Sequence, residues 1–140
     1  NRRNGYLRAM KEYRLTPSEE DIVKCDDIKS AERLIPGLLK RTPRPDAFFA
    51  VNDLTAAQTL MIVKRHGLRI PEDVAIVGFT NSQIATLTEP ALTSVDQKGF
   101  EIGQTAARLL IDRIENRRLP VQNKIITSEL VVRGSSSLKP

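Results

Sequence analysis

Two kinds of apolar spacing alternate along these 140 residues. One is the three-to-four-residue recurrence of a half-buried helix, and the other is the short unbroken apolar run of a strand covered on both faces. Helical spacing governs Asn4 to Arg14, where Tyr6, Leu7, Met10 and Tyr13 share one side, and Leu15-Thr16-Pro17 ends it. Asp21 to Cys25 is predicted as a short strand. Asp27 then suits an N-cap for a helix from Ile28 to Lys40, with Ala31, Leu34, Ile35, Leu38 and Leu39 on one side. Pro36-Gly37 is expected to kink or divide that helix, because proline removes a helical N–H and crowds the preceding turn.

Asp46 to Val51 is a continuous apolar strand, followed by Asn52-Asp53 and a helix from Leu54 to His66. Gly67 sits where a left-handed residue stops such a helix. After a turn at Ile70 to Asp73, Val74 to Gly78 is a second buried strand, and Thr93 to Gln97 a third shorter one. Gly99 to Arg117 is a long amphipathic helix carrying Ile102, Ala106, Leu109, Leu110 and Ile114. Lys124 to Thr127 and Glu129 to Arg133 alternate as strands do, and 135–140 reads as a loose tail. The fold class is therefore α/β, a mostly parallel sheet with flanking helices.

Composition narrows this picture only a little. An apolar share of 40% and a charged share of 28% are ordinary for a globular chain. No apolar run approaches the roughly 20 residues that span a bilayer, so no membrane partner is expected. The polar start without Met is expected of a fragment. One cysteine, Cys25, permits neither an internal disulfide nor a zinc cluster, and favours a reduced, cytoplasmic setting. The net charge of +5 is spread over short groups such as Arg2-Arg3 and Arg117-Arg118, without interleaved aromatics, and reads as a solvated surface rather than a DNA-binding face.

In open α/β sheets, ligands bind beyond the carboxyl ends of the strands. The polar groups there are Asp26 and Asp27, then Asn52 and Asp53, then Thr80, Asn81 and Ser82, and finally Asp96 and Gln97. Their amides and hydroxyls suit a polar or polyhydroxylated ligand. Asp53 is expected to be a structural N-cap of the following helix, which leaves Asn52 free to contact ligand. Thr80 to Ser82 reads equally well as loop or ligand contact. Catalysis has little support: His66, the one histidine, lies at a helix end, no glycine-rich phosphate loop is present, and no acid–base pair or cofactor site emerges.

The order of the motifs is more specific than any one of them. Pro45 to Asp53, Ala56-Ala57, Gly67 to Phe79, Pro90 to Gln97, Ile102-Gly103 and Leu130 to Ser135 follow one another in a sequence that closely resembles the effector-binding domain of the lactose-repressor (LacI/GalR) family. That domain is related in fold to type I periplasmic sugar-binding proteins. The resemblance implies a C-terminal lobe made of residues 1–96 and 122–134, with 97–121 forming a crossover and a helix of a largely absent N-terminal lobe. It implies effector contacts at Arg2, Asn52, Gln97 and, around a departure from the family pattern, Thr80 and Asn81. Members usually carry aspartate where Thr80 stands, and a neutral hydroxyl weakens the charge-assisted bond to sugar hydroxyls. Asp26 is a further candidate contact.

The same resemblance implies a homodimer surface at Ala57, Leu60, Met61 and Lys64, with Ile84 and Leu87 in a nearby loop; Leu60 and Met61 fit a core equally well. It implies a transcription regulator switched by a small-molecule effector, a sugar or another polar metabolite, and touching operator DNA only through an N-terminal domain missing here. The alternatives are a periplasmic sugar-binding protein of a transport system and an α/β enzyme acting on a polar metabolite.

Overall fold

The computed structural model describes residues 2–25 and 27–137. Its elements are helix α1 (Arg2–Glu12), helix α2 (Ile28–Leu39), strand β1 (Ala47–Phe49), helix α3 (Asp53–Arg65), strand β2 (Ala75–Phe79), the short helix α4 (Ile84–Leu87), strand β3 (Thr93–Asp96), helix α5 (Gly99–Glu115) and strand β4 (Glu129–Val131). The sheet order is β1-β2-β3-β4. β1 and β2 run parallel, with Phe48 beside Ile76. β2 and β3 are parallel too, with Gly78 beside Ser94, whereas β4 lies antiparallel to β3. Three strands therefore end on one side of the sheet, and their last residues are Phe49, Phe79 and Asp96.

The apolar runs form the core. Ala56, Leu60, Ile62 and Val63 of α3 pack with Val74 and Ile76 of the β2 segment, with Ala31, Ile35 and Leu39 of α2, and with Ala85 and Leu92. α3 touches both the sheet and α2, so burial on two sides explains why Ala56, Ala57, Leu60, Ile62 and Val63 are all apolar. The ring of His66 closes its C-terminal end by donating from Nδ1 to the Ile62 carbonyl at 2.8 Å.

Several expectations are corrected. Asp21 to Cys25 is not a strand: Glu19–Asp21 is a 3-10 turn. The Asp21 carboxylate accepts from the Ser18 amide at 2.7 Å and from Arg41 at 2.8 Å, which draws this segment into a local turn. Those bonds, the Ser18 amide foremost, hold the Asp21 carboxyl below the usual carboxylate range. Lys124 to Thr127 also forms no strand, since alternation stabilises a strand only against a partner and Ile125 is 95% exposed. α2 continues unbroken through Pro36, because burial of Ala31, Ile35 and Leu39 on either side of the proline outweighs one lost backbone bond.

The supposed tail also begins too early. Ser135 is fully buried, donates from Oγ to the Ile76 carbonyl at 2.6 Å and accepts from the Thr93 amide at 2.8 Å. It fastens β2 to β3 in the manner of another sheet residue. α1 and α5, in contrast, bury no residue. Phe100, Ile102, Leu110, Ile111 and Ile114 on α5 are all exposed.

Candidate functional site

The three parallel strand ends converge on Arg2. Its guanidinium donates from Nη1 to the Val51 carbonyl at 2.7 Å, just past β1. From Nη2 it reaches Gln97 Oε1 at 3.4 Å, just past β3. Between these contacts its carbon lies 4.1 Å above the ring of Phe79, the last residue of β2, a cation–π stack. One side chain thus bridges three strands far apart in sequence. Two of the residues expected to meet effector, Arg2 and Gln97, are brought together, with Asn52 next to Val51. Asp26 lies outside the described residues. Phe79 is a member of this cluster that sequence reasoning passed over, since an aromatic ending an apolar run reads as core.

The capping role expected of Asp53 falls to Asn52. Asn52 is the N-cap of α3, its Oδ1 accepting from the Thr55 amide at 2.8 Å. Its extended backbone lets it do so, while Asp53 is already helical and turns into the protein. Asp53 is 1% exposed. Its Oδ2 accepts from the Ser82 amide at 2.6 Å, from Ser82 Oγ at 3.0 Å and from Thr80 Oγ1 at 3.0 Å. Its Oδ1 accepts from Ser94 Oγ at 2.5 Å. The expected structural role of Asp53 survives only in this altered form, tying three loops together rather than capping one helix.

Thr80 and Asn81 both have positive φ, 118° and 52°. The Thr80 hydroxyl is committed to Asp53. Asn81 is committed too: Oδ1 accepts from Arg133 Nη2 at 2.8 Å, Nδ2 reaches Asp96 Oδ2 at 3.4 Å, and its amide donates to Ser94 Oγ at 3.0 Å. Asp96 in turn accepts from the Lys98 amide at 2.7 Å, and Lys98 Nζ pairs with Glu129 at 2.6 Å. The Lys98 amide, then Asn81 and the Lys98 ammonium, hold the Asp96 carboxyl below the usual carboxylate range, while partial burial opposes them. Lys98 itself is left-handed, with φ 55°, at the point where the chain turns into α5.

The expected interface residues separate into two groups. Ala57 and Leu60 are buried, so they are core and not surface. Met61 and Leu87 are 59% and 73% exposed, and Leu54 joins them on the outer face. Ile84 is half-buried, and Lys64 donates to the Glu89 carbonyl at 2.8 Å. Among the described residues no group of acidic, histidine and cysteine side chains is placed to hold a metal ion, and no helix is long and apolar enough to cross a membrane.

A family model described as a periplasmic binding protein-like domain matches residues 1–136. The chain belongs to this family. Among the similar proteins of this periplasmic binding protein-like kind is the HTH-type transcriptional repressor PurR of Proteus mirabilis (strain HI4320), 37% identical over 135 residues, or 96% of this chain and 40% of that protein. The HTH-type transcriptional repressor CytR of Escherichia coli (strain K12) is 30% identical over 140 residues, 99% of this chain and 41% of its own length. Among solved structures, a complex of the transcriptional regulator CelR with cellobiose superposes with a TM-score of 0.87 at 34% identity, covering 94% of this chain and 41% of that one. A LacI family transcriptional regulator from Enterococcus faecium with bound ribose gives 0.83 at 27% identity, covering 95% and 49%. The chain therefore spans about 40% of the curated relatives it matches. These relatives are transcription regulators and not enzymes, and they disfavour the transport-protein alternative.

Proposed function

We propose that this periplasmic binding protein-like chain is the C-terminal lobe of the effector domain of a small-molecule-responsive, LacI-type transcription regulator. The observation that carries this reading is the Arg2 bridge, which gathers Val51, Phe79 and Gln97 where parallel strands end. A polar effector sits against Arg2, Asn52 and Gln97. The guanidinium has N–H donors beyond the two bonds it makes here, and Asn52 keeps its amide NH2 for the ligand while its oxygen caps α3. Residues 1–96 and 122–134, extended by the buried Ser135, form the lobe. The crossover and helix at 97–121 belong to a second lobe, whose remainder covers the exposed apolar side of α5. Effector binding favours one orientation of the two lobes through differential contacts, and this biases an N-terminal DNA-binding domain of the whole cytoplasmic protein. Homodimers form through the face carrying Met61, Ile84 and Leu87.

The test uses the full-length protein and isothermal titration with ribose, cellobiose and ribonucleosides. One of these should bind, and Arg2→Ala or Asn52→Ala should weaken that binding by about tenfold or more. Unchanged affinity in both variants rejects the assigned pocket.

A further inference from the structure

We infer that Asp53 is the positioning residue of the pocket, and that Thr80 acts through it instead of touching the effector. The inference rests on the pocket assigned above and states what its central wall offers. Asp53 is buried at the first turn of α3, and its described partners are all neutral: two hydroxyls and an amide from the loop after β2, and the Ser94 hydroxyl of β3. A buried carboxylate is costly unless its lone pairs are satisfied, so these four bonds hold one another in place.

Position 80 bears the consequence. A β-branched residue at φ 118° is outside its normal range and persists only where its surroundings impose it. Two bonds impose it here. The Thr80 amide donates to the Val95 carbonyl at 2.9 Å, and its hydroxyl donates to Asp53. The hydroxyl therefore points into the protein. Gly78 completes the fit, because a Cβ there would collide with Asp53 Oδ1 and meet Leu92 Cδ2 at 3.0 Å. The wall between Asn52 and Gln97 is thus left without the hydroxyl of position 80, which is spent on Asp53. Such a wall does not chelate a pair of vicinal hydroxyls through a carboxylate at position 80.

The experiment compares Thr80→Val, Thr80→Ser, Asp53→Asn and the Asp53→Asn/Thr80→Val double variant of the full-length protein. Native-state hydrogen exchange is read at Thr80, Asn81 and Ser82, and titration is run with the same ribose, cellobiose and ribonucleoside probes. Thr80→Val and Asp53→Asn should each raise exchange at Ser82 by about tenfold, as expected for loss of a bond to a charged acceptor. Thr80→Ser should restore protection. Affinity should fall in both single variants and no further in the double, since coupled residues are non-additive. Additive losses in the double, or wild-type exchange in Thr80→Val, overturn the inference. If Asp53→Asn does not fold, exchange in Thr80→Val and its rescue by Thr80→Ser decide alone. If no probe binds the wild type, that counts against the effector reading, whereas the exchange result still decides the latch.

Discussion

Gly78 shows how much at the residue scale depends on the absence of a side chain. It sits in the middle of a buried sheet, where β-branched residues are usual and glycine is a weak choice. Its lack of a Cβ leaves room for the Asp53 carboxylate and for Leu92. Gly78→Ala should therefore destabilise the protein by about 1–3 kcal/mol, the usual cost of overpacking a filled interior. Thermal unfolding would check this, and a melting temperature equal to the wild type would reject the fit described. Adjacency explains why the cap of α3 is expected at Asp53 and found at Asn52. Both are good N-caps, and choosing between them requires the backbone conformation, which two adjacent polar letters do not reveal.

At the scale of elements, the central strands and α3 are legible because continuous apolar runs between turn signals write a strong pattern, even though β1 itself stays largely exposed. β1, β2 and α3 follow from Asp46 to Val51, Val74 to Gly78 and Leu54 to His66 with small shifts at their ends. The segments that mislead, Asp21 to Cys25 with its short apolar pair and Lys124 to Thr127 with its alternation, pair with no strand among the described residues, and a strand is a property of a pair. The departure of α5 from the lobe involves Asp96, which the sequence shows only as strand-end polarity, and Lys98, which it does not single out. Asp96 has its folded-state pKa lowered, so its contribution is complete above the unfolded value and fades as pH falls through the folded one. The stability gap between wild type and Asp96→Asn should thus be present at about pH 6 and narrow only once pH falls below the ordinary carboxylate value of about 3.9. Melting curves across that range test this, and a gap independent of pH would show that the carboxylate charge is not what holds the turn.

For the whole molecule, ordered motifs were a better guide than charge. The net charge of +5 points nowhere, while the run from Pro45 to Gln97 contains three parallel strands whose ends lie on one side of the sheet. What stayed illegible was the contact between distant residues, such as Arg2 on Phe79 or Arg133 on Asn81, because no local pattern encodes a side chain's reach across the fold. The outer face with Leu54, Met61 and Leu87 belongs to this scale as well. Charged residues introduced there, Met61→Lys with Leu87→Lys, should shift the full-length protein toward monomer in sedimentation without lowering its unfolding temperature by more than a few degrees, as surface changes rarely do. A dimer that persists undiminished would place the interface elsewhere.

Ser135 has a consequence for synthesis. Its bonds reach back 59 positions to Ile76 and 42 positions to Thr93. A nascent chain on the ribosome holds β2 and β3 for seconds before the residue that fastens them has been added. Their seam is closed by contacts distant in sequence, the kind that form slowly. Through that interval the apolar run at Val74 to Phe79 is made but not yet sealed, which is the period in which this lobe most needs protection from aggregation.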